Sequence, residues 1–138
     1  MERERRLQSS KNMKSLEGKP LAGATVLVVE DEAILAFEII TNLRLAGANV
    51  IGPAMSLERA LELANAIDID CAVLDVQLRD GLVFPVAELL RERGKGIVFY
   101  TGHSDPAEIK RDWPSARILL KPAPMEELMR DVVRVRSK

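Results

Sequence analysis

Four apolar runs in this chain stop at residues that can do chemistry. VLVVED ends on Glu30 and Asp31, CAVLD ends on Asp75, FYT ends on Thr101, and RILLKP carries Lys121. Carboxylate oxygens suit a hard divalent cation, a lysine ammonium is a point charge for phosphoryl oxygens, and a threonine hydroxyl donates a hydrogen bond. Acids, hydroxyl and lysine together describe a site for a divalent metal and a phosphoryl group. If the carboxylates lie within a few ångströms of one another, a pair of like charges ~4 Å apart costs about 4 kcal/mol at an effective dielectric of ~20. A cation must offset this repulsion. With no His or Cys beside the acids, Mg2+ is the natural candidate, retaining some of its waters.

Bringing these residues together requires a particular architecture. From Ala24 onward, short β-branched runs alternate with segments of helical period, the pattern of a parallel sheet covered on both faces. Strands are predicted at Thr25–Val29, Asn49–Ile51, Cys71–Leu74, Ile97–Tyr100 and Ile118–Leu120. Helical stripes lie between them: Leu35, Ala36, Ile39, Ile40 and Leu43 before a C-capping Gly47, then Leu57, Ala60, Leu61 and Ala64 after an N-capping Ser56. A third helix runs from Pro85 to Gly94. Asp105 and Pro106 open a short fourth one that Trp113 and Pro114 interrupt, and Pro124 opens the last, with Met125, Leu128, Met129 and Val132 inward. The fold class expected is α/β, a doubly wound five-stranded parallel sheet in the flavodoxin-like strand order 2-1-3-4-5, helices on both faces. Right-handed crossovers point all strands one way, so residues that follow them gather at one edge, and strands 1 and 3 become neighbours there. That order brings Glu30 and Asp31 beside Asp75.

Composition narrows the function classes. At 138 residues, 47% of them hydrophobic, the chain has the size of one domain, and two segments are expected: a flexible N-terminal arm over 1–23 and the domain over 24–138. A net charge of −1 does not draw the chain toward nucleic acid or an anionic membrane. Its apolar runs are far shorter than the ~20 residues that cross a bilayer, and the charged N-terminus is unlike a signal peptide, so a cytoplasmic protein is expected. The single Cys71 sits in an apolar run and reads as a core thiol.

From Ala24 to Val135 the chain resembles a bacterial two-component response-regulator receiver domain. VLVVEDEA resembles that family's acidic pair, AVLDV its phosphoacceptor segment, FYTG its switch hydroxyl and LLKP its lysine. VFPVAELL and FYTGHSD are similar to single-domain, stand-alone receivers marked by a Phe-Ala-Thr-Gly motif, with Tyr100 in place of the alanine. The resemblance implies that Asp75 takes a phosphoryl group from a histidine kinase, phosphotransfer protein or small phosphodonor, then loses it by self-catalysed hydrolysis. It implies Mg2+ on Asp31, Asp75 and the carbonyl of Gln77, with Glu30 acting directly or through water. It also implies a switch through Thr101, neutralisation by Lys121, and a readout surface on the fourth helix, fifth strand and last helix. Many relatives carry an aromatic residue three positions before the lysine, where this chain has Ile118. Gln77 and His103 occupy places where the family tunes the attacking water.

Two other classes compete. A haloacid-dehalogenase-like phosphatase would also use an aspartyl nucleophile, but such enzymes usually carry a second Asp two residues on, where this chain has Gln77. A flavodoxin needs a Ser/Thr/Gly-rich phosphate loop after the first strand, where this chain has EDEA. A receiver-like interaction module that is not phosphorylated is the third alternative.

Overall fold

The computed structural model describes residues 18–136. In chain order they form β1 (Thr25–Val29), α1 (Ala33–Leu45), β2 (Asn49–Ala54), α2 (Leu57–Ala66), β3 (Cys71–Leu74), α3 (Phe84–Glu92), β4 (Gly96–Thr101), α4 (Pro106–Asp112), β5 (Arg117–Leu120) and α5 (Met125–Val135). All five main strands are parallel and run β2-β1-β3-β4-β5 across the sheet, the expected order. A two-strand antiparallel ribbon pairs Gln77–Leu78 with Gly81–Leu82 between β3 and α3.

The central strands are buried on both faces, as their unbroken Val, Leu and Ile runs require. Side-chain alternation sorts the core into two halves. Val26, Val28, Val73, Val98 and Tyr100 pack with Ile39 and Leu43 of α1 and Leu128, Met129 and Val132 of α5. Leu27, Val29, Leu74 and Phe99 face Ala60 and Ala64 of α2, Val86 and Leu90 of α3, and Ile109 of α4. Trp113 closes that second half, its ring stacked with Phe84 and edge-on to Phe99. Helix α1 is apolar on its outer side as well, where Ile34, Phe37 and Leu45 are exposed.

Element boundaries depart from expectation by a residue or two at β4, β5 and α3 and furthest at β2. Strand β2 continues through Gly52 and Pro53 to Ala54 instead of ending at Ile51, which an edge strand tolerates because one side of its backbone has no ladder partner. Within the span expected as an arm, 1–23, the described residues include Leu21, which is wholly buried in the α1/α5 half of the core and whose N–H donates to the Ala46 carbonyl at 2.9 Å. The Arg136 guanidinium donates to the carbonyls of Pro20 (2.6 Å) and Ala22 (3.3 Å), which fastens this segment to the end of α5. The rest of the expected arm lies outside the described residues. Among the described residues no helix is long and apolar enough to cross a membrane.

Candidate functional site

Backbone pairing carries the reactive residues to one edge of the sheet. The Glu30 N–H donates to the Ala54 carbonyl at 3.0 Å and the Asp75 N–H to the Val29 carbonyl at 2.9 Å. Thr101 is still in β4, and its carbonyl accepts the Lys121 N–H at 3.0 Å. Each side chain is thus aimed by a ladder hydrogen bond at its own root.

Lys121 stands at the centre of the group. Its Nζ lies 2.8 Å from Glu30 Oε1, 3.2 Å from Asp75 Oδ2 and 3.3 Å from Glu32 Oε2. Glu30 and Asp75 are buried, and Asp31 is half-buried. Burial pushes the Glu30 carboxyl above its ordinary value, and the nearby Asp75 charge adds to that. The Lys121 ammonium and the Glu32 N–H, which donates to Glu30 Oε2 at 3.0 Å, pull the other way. For Lys121 burial alone would weaken the ammonium, but the hydrogen bond and charge of Glu30 and the charge of Asp75 outweigh it. The ammonium is held above the usual lysine range.

Glu30, Asp31 and Asp75 each offer one carboxylate oxygen, and the three oxygens lie within 4.8 Å of one another. An all-oxygen set of that size, with negative charge in excess of the single ammonium, fits the chemistry of Mg2+. Gln77 opens the ribbon two residues after Asp75 with its side chain exposed, so a contribution from it would come through its backbone. Thr101 is wholly buried and its Oγ1 lies 3.4 Å from Ser104 Oγ, a long hydrogen bond to the residue just before the α4 N-cap.

The fold unites Glu30, Asp31, Asp75 and Lys121, and sets Thr101 at the root of Lys121. His103 is exposed in the loop after β4. Three participants were not expected from sequence: Glu32, Ser104 and the Tyr100 hydroxyl. That hydroxyl accepts the Ala123 N–H at 3.1 Å. Only the unbroken Glu30-Asp31-Glu32 run hinted at the first of them.

A family model described as the response regulator receiver domain matches residues 26–133. The chain belongs to the response regulator receiver domain family. It is a receiver domain of the two-component kind, a signalling module. It is 32% identical over 108 residues to the transcriptional regulatory protein PdtaR of Mycobacterium tuberculosis (strain ATCC 25618 / H37Rv), covering 75% of this chain and 52% of that protein. The chain therefore spans about half the length of that curated relative. Among solved structures, a receiver protein from Sinorhizobium medicae WSM419 superposes with a TM-score of 0.73 at 29% identity, covering 80% of this chain and 92% of that one. The response regulator TrrA of Thermotoga maritima, solved in complex with Mg2+ and BeF, shares the fold at a TM-score of 0.69 and 21% identity, covering 80% of this chain and 97% of its own.

Proposed function

We propose that Asp75 is the phosphoacceptor of this receiver and that Lys121, Thr101 and the acidic pair serve the transfer. The observation that carries the reading is the position of Asp75 Oδ2, 3.2 Å from an ammonium and inside a three-carboxylate cluster at the end of β3. Asp31, Asp75 and the Gln77 carbonyl would hold Mg2+, with Glu30 bound directly or through water. When bound, the ion supplies positive charge against the transferring phosphoryl oxygens.

The chain's own residues do the rest. A carboxylate oxygen of Asp75 attacks the phosphorus of a phosphohistidine; a P–O bond forms, the P–N bond breaks, and the imidazole leaves to take a proton. Lys121 neutralises a phosphoryl oxygen while Glu30 keeps its ammonium charged and aimed. Hydrolysis reverses the state: water attacks phosphorus, the acyl P–O bond breaks, and the Asp75 carboxylate and inorganic phosphate remain. Thr101 responds in between. Its bond to Ser104 is long and easily exchanged for one to a phosphoryl oxygen, and Ser104 adjoins the start of α4, so the exchange acts on that helix. Readout then falls on α4, β5 and α5. The exposed Ile34 and Phe37 follow the acidic loop on α1 and suit contact with the phosphodonor protein, a histidine kinase or phosphotransfer domain.

The test is transfer of labelled phosphate from a panel of phosphorylated histidine kinases, and from acetyl phosphate, to wild type and Asp75→Asn. Label that requires Mg2+ and vanishes in the variant is expected. No label from any donor would favour the unphosphorylated interaction module, and turnover of small phosphoesters would favour the phosphatase.

A further inference from the structure

We infer that Tyr100 is a positioning residue for Lys121, an inference that rests on the phosphoacceptor reading above for its kinetic consequence. Tyr100 is almost fully buried in the α1/α5 half of the core, one residue before Thr101. Its hydroxyl accepts the Ala123 N–H at 3.1 Å and lies 3.4 Å from the Ala123 carbonyl, to which it can donate. Both polar groups of a single loop residue are thereby held by one phenol.

Ala123 lies two residues beyond Lys121, in the loop that joins β5 to α5. Pro122 and Pro124 on either side of it are exposed and donate no hydrogen bond. The Lys121 end of this stretch is fastened to the Thr101 carbonyl, and the Ala123 end to the Tyr100 hydroxyl. Two adjacent residues of β4 therefore grip both ends of the segment that presents the ammonium. The Lys121 Nζ also lies 5.7 Å from the centre of the Tyr100 ring, within range of a cation–π attraction. One side chain thus acts on the loop two residues past the lysine and on the ammonium at its tip. Phenylalanine at position 100 would keep the ring and the packing but free the loop.

The experiment has two arms. In the first, NMR follows amide exchange at Ala123 and the side-chain resonances of Lys121 in wild type and Tyr100→Phe, with no phosphodonor present. Faster exchange at Ala123 and displaced Lys121 signals are expected, and unchanged spectra in a folded variant overturn the inference whatever the chain's function. In the second, phosphorylation by acetyl phosphate is measured at saturating Mg2+. Tyr100→Phe should lower the maximal rate by about tenfold to a hundredfold, the scale on which misplacing a group by ~1 Å acts, and leave the Mg2+ dissociation constant unchanged. In a Lys121→Ala background the same substitution should cost nothing further, because its effect passes through the lysine. Equal losses in both backgrounds, or an unchanged rate, overturn the inference. Wild type that takes no label overturns the phosphoacceptor reading instead, and the first arm still decides the position of Lys121.

Discussion

Lys121 is pulled by three carboxylates while its side chain is largely withdrawn from water. Replacing it with methionine leaves Glu30 buried with an uncompensated charge, and breaking a buried pair in this way costs about 3 kcal/mol. Urea denaturation of Lys121→Met at neutral pH should show a loss of that order. The pH dependence follows from Glu30, whose folded-state pKa already lies above the ordinary 4.5 and rises further without the ammonium. A raised carboxyl contributes stability below its unfolded value and loses it as pH climbs through the folded one. The deficit of Lys121→Met should therefore shrink as pH falls toward 4.5 and be full at pH 7. Mg2+ offers an independent check. If the cluster binds it, the midpoint of thermal unfolding rises with metal, by the equivalent of about 2.7 kcal/mol at a hundredfold excess over Kd, and Asp31→Asn should abolish the rise. Glu30, Asp31, Asp75, Thr101 and Lys121 were legible because each ends an apolar run. Glu32 and Ser104 were not, since they lie beyond the strand ends where any polar residue looks solvated. Tyr100 in a strand reads only as core, and its partner is 23 residues away.

Local chemistry marks most element boundaries. Ser56 accepts the Arg59 N–H at 3.1 Å and Asp105 accepts the Ala107 N–H at 3.0 Å, partners within three residues that any reading of the sequence can pair. The remaining donors at the start of α2 are satisfied from far away. Asp80, in the ribbon loop after β3, takes the N–H groups of Leu57 (2.7 Å) and Glu58 (3.1 Å). No sequence pattern announces a cap from another element. These two hydrogen bonds hold the Asp80 carboxyl below its ordinary 3.8. A lowered folded-state pKa gives stability that is present above the unfolded value and fades as pH falls through the folded one. Asp80→Ala should lower the melting temperature at pH 7, and the difference from wild type should narrow below pH 3.8. Gly96 sets a second element-scale constraint, because a Cβ there would overlap the carbonyl oxygen of Val135 at the end of α5. Gly96→Ala should destabilise far more than a surface substitution, and calorimetry would show whether β4 and α5 still pack.

On the scale of the whole molecule, the sheet order was readable because alternating strand and helix patterns with right-handed crossovers leave few arrangements open. The entry of Leu21 into the core was not readable, since a lone leucine between glycines and a proline gives no period. Cys71, the chain's single cysteine, lies at the start of the central strand with no exposed surface, and burial pushes its thiol up to about 12. Alkylation at pH 8 should therefore proceed only through opening of the sheet, and its rate should rise with urea in parallel with global unfolding. Rapid modification in the absence of denaturant would contradict a closed core.

The clasp of Arg136 on Pro20 and Ala22 joins the two ends of the described chain at the edge of the sheet remote from Asp75. Spatially the described segment is almost a ring. Cutting that ring elsewhere leaves every strand neighbour in place, and the exposed turn at Gly94 offers such a place. A circular permutant that links the clasped ends and opens at Gly94 would begin with β4 and end with α3. In it, Lys121 would precede Asp75 along the chain while its ammonium still met the Asp75 carboxylate in space.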